Sequence, residues 1–246
     1  MSNVNFNDIL TEISNSKTTI TCYSPSSKEN VSLSPLTLSQ QKSIIETSID
    51  STLAALFFNN VFFKIVKQNL KNDISKYDTI DRVNFAISLR SQLSDVYTSN
   101  DTTYSLKQVL ERNASINYSL KETQIVADNF IFTVKNPDLV IDDRVNNILI
   151  NKYKGENLNG VKLKNLISDL FVHEILKFTT KLKVNDKEIN LHTDLQGAAN
   201  LLEKIDSSKF TEVTKYINNV RDIERSFAVL PNSDSNIDII PAFFIV

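Results

Sequence analysis

The stretch Ser34–Lys71, SPLTLSQQKSIIETSIDSTLAALFFNNVFFKIVKQNLK, carries a strong helical signal. Thr37 and Gln40 have the spacing of a capping box, which predicts that a first helix begins there. The pair Asp50–Ser51 interrupts the pattern and can cap a second helix. That second helix, Leu53–Val66, is apolar at nearly every position, as is typical of a helix buried on several sides. We therefore expect two consecutive helices around which the remaining chain is organised.

Three interpretations compete for the Phe-rich second helix. A membrane span needs about 20 apolar residues, and Asn59, Asn60 and Lys64 interrupt the run too early. The second interpretation is a helix in the hydrophobic core. The third is an aromatic surface that binds a partner protein. The candidate contact residues for that partner are Phe57, Phe58, Phe62, Phe243 and Phe244.

Composition restricts the possible functions. The chain has 246 residues, a net charge of −2 and three glycines. So few glycines disfavour phosphate-binding loops, and the charge gives no reason to expect a nucleic-acid partner. Cys22 is the single cysteine, so neither an internal disulfide nor a cysteine metal cluster is expected. The sequence shows no secretory signal, and we predict no cofactor.

Alternating residues predict a β-hairpin at the amino-terminal side of the central helices. Ile20 and Cys22 would pair with the segment around Val31, across a turn at residues 25–30. Residues 5–14 carry an earlier helical pattern through Phe6, Ile9, Leu10 and Ile13. A further helix is expected at Ile80–Val96, capped by Asp78 or Thr79.

The second half of the chain predicts strands and then helices. Gln124–Val134 and Leu139–Asp142 have the composition of strands. Residues 161–181 predict a helix with a broad apolar face, formed by Leu163, Ile167, Leu170, Phe171, Ile175 and Phe178. A small hairpin follows at residues 181–191. Helices are expected at Thr193–Leu202 and Asp206–Ile223, and residues 237–246 predict a terminal β-hairpin.

These elements indicate an α+β fold with three parts. Residues 1–96 form an amino-terminal hairpin with a helical lobe, and residues 97–160 form a connecting segment of strands and loops. Residues 161–246 form a helical lobe that ends in the terminal hairpin. The core is expected to be helical.

Polar residues that could carry catalysis have simpler explanations. His173 lies on the predicted polar face of its helix, where solvent explains it, and His192 lies in a turn. The pair Asp142–Asp143 fits a solvated loop, and Arg82 and Arg90, two helical turns apart, fit salt bridges. The sequence therefore predicts a protein that is not an enzyme and has no catalytic, cofactor or metal residues.

Three landmarks resemble the baseplate hub assembly protein family of T-even-like contractile-tailed bacteriophages. The first is the hairpin Thr18–Leu36 followed by the helical segment Ser39–Ile45, SQQKSII. The second is the helix Thr79–Arg90, TIDRVNFAISLR, with its aliphatic–Arg step. The third combines Leu201–Val220 with the paired phenylalanines that end the segment 237–244.

The resemblance implies a structural role in a phage tail. The chain would be a baseplate hub subunit or a hub assembly factor, with other hub proteins or the tape-measure protein as partners. It would be made in the host cytoplasm and reside in the baseplate of the virion. An assembly chaperone absent from the mature virion is the alternative, and an enzyme with an unrecognised site is a remote one.

Overall fold

The computed structural model describes residues 5–7, 9, 12, 18–49 and 53–245, and its mixture of helices and antiparallel strands confirms the α+β class. Eight α-helices lie in this part of the chain: α1 Leu38–Glu46, α2 Ala54–Asn69, α3 Thr79–Ser91, α4 Leu106–Asn113, α5 Leu139–Tyr153, α6 Gly160–Phe178, α7 Leu195–Leu202 and α8 Thr211–Ser226. Its strands are β1 Ile20–Ser24, β2 Glu29–Leu33, β3 Val96–Ser99, β4 Thr102–Ser105, β5 Thr123–Ala127, β6 Phe130–Val134, β7 Thr179–Val184 and β8 Lys187–Asn190.

The strands form three separate antiparallel sheets. β1 and β2 make the predicted hairpin, in which Cys22 pairs with Val31. β3 and β4 make a second hairpin, and β5, β6, β7 and β8 form a four-stranded sheet in that order. The predicted strands at 124–134 and the hairpin at 181–191 are confirmed as parts of this sheet.

Local capping explains where α1 and α3 begin. The side chain of Thr37 accepts a hydrogen bond from the backbone N–H of Gln40, and the side chain of Gln40 accepts one from the backbone N–H of Thr37. These two bonds confirm the capping box of α1. Asp78 and Asp81 form the same reciprocal pair at the start of α3. The predicted cap at Asp50–Ser51 lies outside the described residues. So do Leu10 and Ile13 of the predicted first helix, whose Phe6 and Ile9 are helical.

Two large hydrophobic clusters hold the chain together. The first joins the β1–β2 hairpin, α2, α3 and α4 to residues 228–244 near the carboxy terminus. The second joins the four-stranded sheet to α6, α7 and α8. The proposed boundaries at 96 and 160 stay predictions, but the carboxy-terminal segment clearly packs with the amino-terminal helices.

Two of the predicted secondary-structure elements were wrong. Leu139–Asp142 is the first turn of α5, whose N-cap Asp138 accepts a hydrogen bond from the backbone of Ile141. A four-residue apolar run fits a strand or a helix equally well, and here the cap decides. The terminal hairpin is also absent from the described residues: a single bridge joins Val229 to Asn236, and 241–244 form a 3₁₀ turn. Pro241 starts that turn because its fixed φ suits a first helical position and it has no N–H for a ladder.

Candidate protein-interaction surface

Four of the five aromatic residues predicted to contact a partner lie in the core. Phe58, Phe62, Phe243 and Phe244 are buried in the first hydrophobic cluster, and Phe57 is half-buried. The Phe62 and Phe244 rings are 6.0 Å apart, so the Phe-rich helix and the carboxy-terminal segment cover each other. Their role in partner binding stays a prediction, and it would require the carboxy-terminal segment to leave the core.

Polar contacts fix the carboxy-terminal segment in place. Arg90 Nε donates to the carbonyl of Phe243 at 2.6 Å, and Gln41 Nε2 donates to the carbonyl of Phe244 at 2.7 Å. The Arg90 guanidinium also lies 5.7 Å from the centroid of the Phe243 ring, within cation–π range. Arg90 was expected to form a salt bridge, but it binds backbone carbonyls instead.

Helix α6 exposes much of the broad apolar face that the sequence predicts. Ile175 and Phe178 are buried, whereas Ile167 is 59% exposed and Phe171 47% exposed. Leu163 and Leu170 complete the exposed set. We call Leu163, Ile167, Leu170 and Phe171 the α6 face. Their spacing of four, three and one places them on one side of the helix, so the face is continuous.

A different side of α6, about a quarter to a third of a turn away, packs on α5. Leu166, Asp169 and His173 are buried there, three and four residues apart. Tyr153 of α5 donates its hydroxyl to Asp169 at 2.7 Å, and Lys152 pairs with the same carboxylate at 2.5 Å. These polar contacts select the side that faces α5, and the more apolar stripe remains outside.

A groove between α6 and α8 continues the α6 face. Its volume is about 330 Å³, and Leu170 and Phe171 line it together with Ile217 of α8. Glu174 and Arg221 form an ion pair of 2.9 Å at its rim. An apolar floor with a charged rim is the usual anatomy of a protein contact site.

Each histidine ring contacts a backbone carbonyl, His173 that of Asp169 and His192 that of Leu176. His173 was predicted to be solvated, which is wrong: it is buried, and its Nδ1 lies 2.7 Å from the carbonyl of Asp169. Burial lowers the pKa of His173 and of His192, which favours neutral rings near pH 7. Among the described residues, no group of three His, Cys, Asp or Glu side chains could hold a metal ion.

A buried ionic centre joins three helices. Asp142 was predicted in a solvated loop but lies buried in α5, 2.7 Å from Arg82 of α3 and 2.8 Å from Lys177 of α6. Burial favours the neutral carboxyl, but the two cations outweigh it and lower the pKa of Asp142. The Asp142 carboxyl therefore stays ionised, and its two ion pairs fix the three helices relative to one another.

A second acidic cluster clamps the β1–β2 hairpin to α3. Asp81 accepts hydrogen bonds from the hydroxyls of Ser24 and Ser26 and from the backbone N–H groups of Ser26 and Asp78. Burial, followed by the charge of Asp81, raises the pKa of Asp78 to about 7. Through these hydrogen bonds the Asp81 carboxylate joins the β1–β2 hairpin to α3. The sequence signal for this clamp was only the capping pattern at Asp78.

Cys22 lies in the same region and is buried. Ser88 Oγ lies 3.0 Å from its sulfur, and burial raises the pKa of Cys22 to about 12. A thiol in that state is neutral and poorly reactive. Cys22 therefore serves as a small apolar residue of the β1–β2 hairpin.

Comparisons with known proteins add little. No family model and no solved structure matches the chain. Reticulocyte-binding protein homolog 1 of Plasmodium falciparum (isolate 3D7) is 27% identical over 199 residues, which is 74% of this chain and 7% of that protein. The chain thus spans about 7% of the length of the curated protein it matches. Among the described residues, every helix is too short or too polar to cross a membrane.

Proposed function

We propose that this chain is a non-enzymatic assembly protein of a contractile-tailed phage, a baseplate hub subunit or hub assembly factor that acts through protein–protein contact. The observation that carries a binding role is the α6 face. Ile167 and Phe171 are large apolar side chains about half exposed on a helix whose other side is packed. Contiguous exposed apolar surface with a polar rim is typical of a contact site.

The buried polar clusters support a scaffold role for the rest of the chain. The ion pairs of Asp142 and the hydrogen bonds of Asp81 join helices and a hairpin that are distant in sequence. Charged groups with complete partners fix relative orientation. The α6 face is therefore presented on a fixed framework, which suits an assembly protein.

The phage assignment comes from the family resemblance. Its landmarks fall on β1–β2, on α3 and on residues 201–220 with 237–244, and the comparisons with known proteins do not test it. The name of the Plasmodium protein also describes binding, for that protein. A binding role is therefore the broader part of the proposal, and the baseplate hub is the narrower part.

Quantitative mass spectrometry of purified tailed particles from the source of the sequence tests the narrower part. A constant copy number that scales with tail components supports a hub subunit. Absence from particles, with the chain bound to a tail protein in infected cells, supports the assembly factor. Absence from particles and from tail-protein complexes in infected cells would overturn the proposal.

A matched pair of substitutions tests the α6 face in the same system. Ile167→Glu places a charge on the face, and Ile189→Glu places the same charge on β8, where Ile189 is similarly exposed. We expect fewer complete particles with Ile167→Glu and a normal yield with Ile189→Glu. Equal yields from both variants would remove the α6 face from the proposed function.

A further inference from the structure

We propose that the α6 face binds the α6 face of a second copy of this chain, with the two helices antiparallel about a two-fold axis at Ile167. The inference deepens the proposed function, on which it rests, by naming the occupant of the face. A two-fold contact is isologous, so the face must be complementary to itself. The arrangement of apolar and charged residues along α6 meets that condition.

The apolar residues are symmetric about Ile167. Leu163 precedes Ile167 by four residues and Phe171 follows it by four, so each lies about 6 Å along the axis from the centre. In an antiparallel pair, Leu163 of one copy then faces Phe171 of the second copy, and the two Ile167 side chains meet at the axis. Three apolar contacts follow from one stripe.

The charges of α6 are complementary to themselves in the same arrangement. Lys164 faces Leu170 of the second copy, and Glu174 lies one turn beyond that leucine on the same side. A lysine side chain spans such a distance. The positive end of one helix thus meets the acidic residue of the other at both ends of the contact.

The amino terminus of α6 adds to this complementarity. Its N-cap residue, Asn159, makes no side-chain capping hydrogen bond within the described part of the chain. Gly160 begins the helix and would face Glu174 of the second copy. A carboxylate near the first turn of a helix is favourable because the N–H groups there point outward. Glu174 keeps its own pairing with Arg221 through Oε1, and its Oε2 lies 3.7 Å from Lys177.

Single-cysteine crosslinking tests the position of the axis. In Ile167→Cys the two thiols meet at the axis, so a short bismaleimide should join two copies. Val161→Cys is the matched control: Val161 is exposed on the same helix, but six residues from the axis, so its two copies lie about 18 Å apart along the helices. Native Cys22 is buried and should not react, which makes the unmodified chain a blank.

Light scattering and equilibrium sedimentation measure the association itself. The unmodified chain should form a dimer, and Ile167→Glu should raise the dimer Kd at least about tenfold, because central apolar contacts dominate such interfaces. Lys164→Glu should also weaken the dimer, whereas Lys187→Glu, the same change on β8, should leave it unchanged. Circular dichroism would confirm that each variant is folded.

The outcomes separate this inference from the proposed function. An unmodified chain that stays monomeric, with Ile167→Cys uncrosslinked, overturns self-association. If Ile167→Glu then still reduces particle yield, the face binds a different protein and the proposed function stands. A dimer crosslinked through residue 167 in a chain that is absent from phage particles and from tail-protein complexes would retain the inference and overturn the function.

Discussion

Helix α2 and helix α6 both carry long apolar runs, yet α2 is enclosed and α6 keeps part of its apolar surface in contact with solvent. The cover over α2 comes from the far end of the chain, where Phe244 packs on both Phe58 and Phe62. For α6, polar contacts to α5 take the other side of the helix. Apolar periodicity therefore identifies a surface that favours burial, and it does not identify what buries it.

Removal of the carboxy-terminal residues that cover α2 should lower the free energy of unfolding more than any other change proposed here. Deletion of residues 241–246 removes two buried phenylalanines, and truncation of one such residue typically costs about 3–5 kcal/mol. We expect the free energy of unfolding to fall by more than about 5 kcal/mol, measured by urea denaturation. Phe244→Leu, a milder change, should cost on the order of 1 kcal/mol.

Ile245→Ala is the control for that deletion. Ile245 is exposed beside the buried pair, so its truncation should change the free energy of unfolding by less than about 0.5 kcal/mol. A deletion variant as stable as the unmodified chain would show that the carboxy-terminal segment does not cover α2 in solution. The contrast between the two helices would then disappear.

How much of this contrast the sequence predicts depends on how local each signal is. Thr37 and Gln40 are three residues apart, and their capping box was predicted correctly because both partners lie in one turn. The core position of Phe62 depends on Phe244, which no local pattern connects to it. His173 was misplaced because the choice of buried side on α6 depends on Tyr153 of another helix.

Wrong predictions also arose where two local signals competed. Residues 139–142 are apolar enough for a strand, but Asp138 caps a helix there. Residues 237–246 are apolar enough for a hairpin, but Pro241 has a fixed φ and no N–H group, which favours a 3₁₀ turn there. The α6 face was predicted as apolar, and only its surroundings in the fold show that it is exposed.

The buried Asp78–Asp81 pair should make the free energy of unfolding depend on pH, with an effect of intermediate size. Asp78 is buried beside Asp81, and its pKa in the folded chain is about 7, compared with about 3.9 in an unfolded chain. Between these values the folded state retains a proton that the unfolded state has lost. The retained proton therefore stabilises the folded state, and this contribution is complete below about pH 4 and is lost as the pH rises through 7. Over that range the free energy of unfolding falls by at most about 1.4 kcal/mol per pH unit.

Asp78→Asn tests this dependence because asparagine also caps helices well. We expect the variant to lose much of the decline in unfolding free energy between pH 5 and 8, and to be more stable than the unmodified chain at pH 8. Asp206→Asn is the matched control, since Asp206 also accepts from the backbone two residues on but is exposed and has a lowered pKa. A decline that persists unchanged in Asp78→Asn would assign it to other groups, such as Glu224, whose pKa burial also raises.

A substitution on the α6 face should have the smallest effect on the stability of the monomer. Ile167→Glu replaces an exposed side chain, so at low protein concentration it should change the free energy of unfolding by less than about 0.5 kcal/mol. The unmodified chain should behave differently as its concentration rises, because association stabilises the folded state by mass action. Its Tm should increase with concentration, while the Tm of Ile167→Glu should stay constant. Calorimetry over a hundredfold concentration range distinguishes a Tm that rises from one that stays constant. If Ile167→Glu instead lowers the free energy of unfolding by several kcal/mol at every concentration, Ile167 lies in the core, as Phe62 does.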